Sequence, residues 1–426
     1  MATANRHLRL HMPFYGWWIV LSCVLFHGLF GSAFGFTFGQ YLLSIEEQFG
    51  WSKFAISSTY SGSLLLAGFL SPAHGWLLDR FRPRLLMQIG TVTFGLGFIA
   101  LPFADTFPAF FAVIMVMSIG ANLAGWLTLT TVTARWFRRK RAFALGLSTT
   151  GIGLAGMLSM VVAWSLVVHG WESTAIGSGI AVLVIGLPLC QLMRGYPEEY
   201  GMVPDGAPAP SSARSRATVD PGEIDFTVGE AMRDRSFWYV SAGHAVALIA
   251  VVALLAHLPA HLVQGLGWSK TSAQTIIALM TVTSIVGQVG GGYVGDRYNK
   301  AHLAATCMLM HAVAVLMLAF TTSTLVIVVA ALLHGLAWGI RSPLMTAIRA
   351  DFYGRRSFGQ IAGYSNVLVM LGPLIGPTFA GKMNDVYGDY TGAFLVVGVV
   401  VGMGSLLFLA SRKPPVPARL RAAVEA

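Results

Sequence analysis

The chain alternates long apolar stretches with polar connections from one end to the other. Apolar runs cover Trp17 to Leu43, Phe54 to Leu78, Leu85 to Phe103, Phe107 to Ala134, Ala142 to His169 and Thr174 to Met193. After a polar interval, a second set covers Phe237 to Leu262, Ala273 to Val294, Ala301 to Thr321, Leu325 to Ile348, Phe358 to Ala380 and Thr391 to Ala410. A hydrocarbon core about 30 Å thick is crossed by roughly 20 apolar residues in a helix, and every run is near or above that length. Lipid offers the backbone no hydrogen-bond partners, so only helices and closed barrels span it, and uninterrupted runs lack the alternation of barrel strands. The pattern predicts an all-α membrane protein with twelve transmembrane helices. They fall into two six-helix bundles, residues 1–194 and 236–426, joined by a linker over 195–235.

Charge then gives the orientation. Arg6, Arg9, Arg80, Arg82, Arg84, Arg135, the Arg138 to Arg141 cluster, Arg297, Lys300, Arg349, Arg355, Arg356 and the Arg412 to Arg421 tail fall on one side of the predicted helices. Only Lys53, Lys270 and Lys382 fall on the other. Basic residues in short connections stay on the cytoplasmic side, which places both termini and the linker there, in a plasma or bacterial inner membrane. The same bias accounts for the net charge of +10 and argues against nucleic-acid binding, because the cations are spread over helix ends instead of forming one face. Cys23, Cys190 and Cys307 lie inside apolar runs without metal-ligand spacing and read as small buried residues. Residues Met1 to Pro13 are basic, but the first run is too long for a secretory core and reads as an uncleaved first helix. The linker is rich in Pro, Ser and charge over Val203 to Asp220. Its end, Phe226 to Arg235, reads equally as a short amphipathic helix or a solvated loop.

The halves repeat one another. Gly75-Trp-Leu-Leu-Asp79-Arg80 follows the second run and Gly292-Tyr-Val-Gly-Asp296-Arg297 the eighth, and Ala134-Arg-Trp-Phe137 answers Ala350-Asp-Phe-Tyr353. Internal symmetry of this kind marks secondary transporters whose bundles rock about a central site. These residues resemble the major facilitator superfamily, whose loop motif of type G-x-x-x-D-R occupies both places. Tyr15-Gly-Trp-Trp18, Trp136-Phe-Arg-Arg-Lys-Arg141 with Ala144, Gly146 and Gly151, and Pro197-Glu-Glu-Tyr-Gly201 with Pro204-Asp-Gly206 resemble signatures of its monocarboxylate and oxalate/formate exchanger group. The resemblance implies a transporter and not an enzyme, acting as a monomer without cofactor or metal. It also implies that Gly75, Asp79, Arg80, Gly292, Asp296 and Arg297 form a gate whose carboxylates sit against neighbouring helix N-termini and stabilise the outward-facing state. The chain departs from that group in helix eight, where Gln288 stands in place of the usual Arg, and no apolar run contains a Lys.

One cation does lie deep in a run. Arg341 sits within Trp338-Gly-Ile-Arg341-Ser-Pro343. Burying it costs several kcal/mol unless it is paired or hydrated, so it is expected to face a bundle interior or a water-filled cavity. A guanidinium fork suits a carboxylate, sulfonate or phosphate. The plainer reading is a structural arginine bonded to carbonyls freed by Pro343. No Asp or Glu lies inside any run, which leaves histidine as the titratable group for proton coupling. His334 shares a helix face with Trp338 and Arg341, and His257 and His261 pair around Pro259, whereas His27, His244 and His311 are weaker candidates. The string Gly151-Ile-Gly-Leu-Ala-Gly156 has no preceding strand and is rejected as a dinucleotide site in favour of helix packing. The expected substrate site is Arg341, His334, Trp338 and Gln288, receiving a small organic anion and possibly a proton within the bilayer. Two other readings stay open: efflux of larger amphipathic compounds, favoured by the aromatic and Met-rich runs, and a non-transporting receptor on the same fold.

Overall fold

The computed structural model describes residues 14–206, 224–417 and 419–420. Arg6, Arg9, Arg421 and most of the Pro- and Ser-rich part of the linker lie outside the described residues. The spans are α1 (Gly16–Phe49), α2 (Lys53–Arg80), α3 (Pro83–Phe103), α4 (Phe107–Trp136), α5 (141–169), α6 (171–192), α7 (Arg235–Gly265), α8 (Lys270–Gly295), α9 (Lys300–Phe320), α10 (Thr324–Tyr353), α11 (Phe358–Tyr387) and α12 (Thr391–Ala410). The helices α5 and α6 form one continuous stretch that turns at Gly170, where φ is 78° and an L side chain would be strained. Only glycine makes that turn freely.

Helix α2 is the most polar span, with Ser57, Ser58, Thr59, Ser61 and Ser63 in its first half. It stays helical because hydroxyls fold back on their own helix: Ser58, Thr59 and Ser63 donate to the carbonyls of Ala55, Ile56 and Tyr60 at 2.6–2.7 Å. The polarity of these three is spent locally. Breaks fall where small residues allow them. Gly125, at φ −93° and ψ −148°, divides α4, and α11 is interrupted at Met370, just before Gly372.

Each half has its own apolar core, and the halves meet along two seams, α2 against α11 and α5 against α8. The linker ends are fastened in the same way at both halves. Asp205 accepts the backbone N–H groups of Arg138, Arg139 and Lys140, and Asp225 those of Arg355 and Arg356. The segment before α7 forms a helix, Val228–Arg233, closed by a capping box between Thr227 and Glu230. The Arg419 guanidinium beside Glu230 holds that carboxyl below its ordinary range. Cys23, Cys190 and Cys307 are free and buried.

Candidate transport site and gate

The repeated loop motifs cross the seams. Asp79, at the end of α2, accepts the N–H groups of Gly359 and Gln360 at 2.9 and 2.8 Å, where α11 begins. Asp296, just past α8, accepts those of Ala142 and Phe143 at 2.8 and 3.0 Å, where α5 begins. A carboxylate there satisfies two orphan donors and meets the positive end of the helix dipole. Burial, the larger influence, pushes the Asp296 carboxyl above its ordinary value, against the pull of those two N–H groups and of Lys300. A Cβ on Gly75 would collide with the Gly359 backbone, and one on Gly292 with the Ala142 carbonyl, so both glycines are needed for this approach. The motif arginines do not cross. Arg80 lies over the Trp76 ring and Arg297 over Tyr293, each folded back on its own helix.

Further contacts close the basic side. Asp79 pairs within its own half with Arg135 at 2.9 Å. Across the halves, Arg141 binds Asp351, and Arg355 donates to the Arg135 carbonyl and to Glu198 at 2.7 and 2.9 Å.

Arg341 occupies a different environment. It is buried in α10, 1% exposed, and its Nε and Nη1 have no hydrogen-bond partner. The groups that act on it and on its neighbours are Cys307 and His311 of α9, His334, Arg349 and Tyr353 of α10, and His244 of α7. Among the described residues, no carboxylate is among them. Neither Nε nor Nη1 bonds to a carbonyl freed by Pro343. His334 is also buried, with its Nδ1 3.1 Å from Nδ1 of His311 and the rings edge to face at 4.4 Å. One hydrogen must lie between the two nitrogens, so the rings hold opposite tautomers when both are neutral.

Other expected residues are placed elsewhere. Gln288 lies on the α5–α8 seam, where its Oε1 accepts from the Thr149 hydroxyl at 3.2 Å and its backbone packs on Gly146. No hydrogen bond joins it to Arg341 among the described residues. Trp338 is half-buried, and no ring contact to Arg341 is found among the described residues. His257 is fixed at both nitrogens, near the Tyr390 hydroxyl at 3.2 Å and the Pro377 carbonyl at 2.9 Å, and His261 lies edge-on to Phe394. Neither nears the Arg341 cluster through any hydrogen bond among the described residues.

Two features escape a reading of the sequence by runs. Arg349, grouped there with the basic connections, lies inside α10 because that helix continues to Tyr353; it is 4% exposed, and its Nη2 contacts His244 Nδ1 at 3.2 Å. The signal was present, since His334, Arg341 and Arg349 recur at helical spacing on one stripe. His74 of α2 is the second: it joins Asn122 and Thr128 at 3.1 and 3.0 Å in a buried network of the first half. No spacing rule connects those three positions.

The chain is 25% identical to Monocarboxylate transporter 13 of Rattus norvegicus over 93% of its own length and 89% of that protein. It is 23% identical to the Hexuronate transporter of Bacillus subtilis over 84% and 85%. Its fold matches a crystal structure of the E. coli fucose:proton symporter, FucP, with a TM-score of 0.71, at 15% identity, over 94% of this chain and 100% of that one. The family model described as Major Facilitator Superfamily matches residues 20–269 and 240–425. Twelve helical spans in two repeated halves, with the loop motif standing at both seams, belong to a transporter and not an enzyme, and the chain is a member of the Major Facilitator Superfamily.

Proposed function

We propose that this transporter moves a small organic anion of the monocarboxylate type by alternating access, with Arg341 receiving the anionic group. The observation that carries the reading is a buried guanidinium with two idle nitrogens and no acid acting on it. Such a charge is expensive unless compensated, and an incoming carboxylate supplies both the charge and the acceptors at each turnover. The two relatives described above are named for monocarboxylates and hexuronates, which are carboxylates. Trp338 and His334 stand one and two turns from Arg341 on α10 and form a wall of the same site. The His311–His334 pair is the candidate carrier of a coupled proton, in place of the absent intramembrane acid. Gln288 acts at the seam, where its hydrogen bond to Thr149 breaks as the halves part. In this reading the side bearing the loop motifs is cytoplasmic and the protein works as a monomer, and the engaged seams support an outward-facing state.

Uptake of radiolabelled lactate and oxalate into proteoliposomes, with and without an inward proton gradient, tests the reading. The parent accumulates label and Arg341→Gln does not, while Arg341→Lys retains a weakened uptake because an ammonium lacks the planar fork. Normal uptake by Arg341→Gln makes the arginine structural and removes the anion site. Uptake by the parent that ignores pH makes the carrier an exchanger or uniporter.

A further inference from the structure

A cavity of about 760 Å³ opens on the basic side. Among the described residues, five of those lining it are cations, Arg138 and Arg141 from the first half and Lys300, Arg412 and Lys413 from the second, against a single acid, Asp351. The acid is already engaged by Arg141 and Lys300, the latter at 2.9 Å, and the described lining carries four more positive than negative charges. The remaining walls are partly apolar, including Ile348, Phe352 and Leu409. Leu409 is half-exposed at the end of α12, and Met403 and Leu406, 63% and 61% exposed, continue the same face along the helix. That stripe leads from the cavity mouth along the lipid-facing side of the span.

We propose that this cavity binds the phosphate headgroup of an anionic phospholipid, one of whose acyl chains lies along the Met403, Leu406 and Leu409 stripe, and that the bound lipid clamps the two halves together on the basic side. Basic pockets between spans suit phosphate headgroups, and arginine forks offer paired donors to phosphate oxygens. The clamp follows from the lining, because the phosphate would be held at once by Arg138 and Arg141 of one half and by Lys300, Arg412 and Lys413 of the other. When the halves part, Arg138 and Arg141 leave with α5 and the site is divided. Lipid that binds only the closed arrangement therefore shifts the population toward it. A free phosphate would share the ionic contacts but have no use for the apolar stripe.

The test uses the whole protein in nanodiscs of phosphatidylcholine, with and without phosphatidylglycerol, and in detergent with inorganic phosphate alone. Native mass spectrometry counts retained lipid, and spin labels on cysteines placed at Arg82 and Arg356, outside the cavity, report the distance across the basic mouth. Phosphatidylglycerol is retained in preference to phosphatidylcholine. Retention weakens about thirtyfold when Arg412→Gln and Lys413→Gln are combined, at roughly fivefold per cation. The lipid narrows the distance distribution toward the closed form in the parent and not in that double variant. Equal retention of both lipids, or by parent and double variant, overturns the site. Inorganic phosphate producing the same narrowing overturns the lipid assignment, and a distribution that ignores bound lipid overturns the clamp.

Discussion

Arg135 and Arg341 are equally buried, each 1% exposed, yet they are compensated in opposite ways. Arg135 meets Asp79 at 2.9 Å, donates to the Leu78 carbonyl at 3.1 Å and lies 4.5 Å from the centre of the Tyr196 ring. Among the described residues no carboxylate acts on Arg341; nearby Arg349 is a second cation, and His334, His311 and His244 supply no negative charge. The first arginine has its counter-charge within the protein, although its Nε also lacks a hydrogen-bond partner, and it is bonded to the carboxylate proposed as part of the gate. In the proposed function the second is completed by the substrate anion. Neither burial nor a buried nitrogen without a partner therefore points to a substrate site by itself; a buried charge with no counter-charge is the better pointer.

The comparison extends to the two gate carboxylates. Asp79 keeps its ion pair when the seam opens, because Arg135 belongs to the same half. At the repeated position the charge is inverted: Asp351 stands where the first half has Arg135, and its partners are Lys300 and, across the seam, Arg141. Opening the second seam thus breaks an ion pair as well as the two N–H contacts of Asp296. The two gates share a geometry and differ in what they lose.

The largest expected effect breaks the compensated arginine. Asp79→Asn leaves Arg135 buried without its counter-charge, which costs about 3–5 kcal/mol of folding stability, whereas Arg341→Gln costs nothing or stabilises. Thermal unfolding in detergent reads both, and combining Arg135→Gln with Asp79→Asn should recover much of the loss. A harmless Asp79→Asn would dissolve the contrast between the two arginines. A smaller effect separates the gates. Asp296→Asn keeps the fold but gives up a carboxylate at a helix N-terminus, worth about 1 kcal/mol, so the closed form loses roughly fivefold in population. Spin-label distances across the basic mouth measure it, and an unchanged distribution would deny Asp296 its gating role.

Much of this was legible in the sequence for a physical reason. Spans announce themselves because lipid demands some 20 apolar residues from each, and a repeated Gly-x-x-x-Asp-Arg survives in plain view at both seams. Arg341 was legible as an isolated cation in an apolar run, with His334 at helical spacing. What a linear reading misses is pairing between helices. His311 gained weight only when α9 was placed beside α10, and Arg349 was hidden because apolarity ends at Ile348 while the helix does not. Gln288 was expected beside Arg341 from its place in helix eight, but its face of α8 turns to Thr149. Periodicity gives a face, not the neighbour it meets.

Whether a small carboxylate completes Arg341 is read most directly from the thermal unfolding of parent and Arg341→Gln with and without saturating lactate or oxalate. A ligand at a hundred times its dissociation constant stabilises its binding state by about 2.7 kcal/mol. The parent is expected to gain stability with one of these anions, while Arg341→Gln, folded and at least as stable without it, gains none. An Arg341→Gln variant that is stabilised by the anion as strongly as the parent would contradict that expectation.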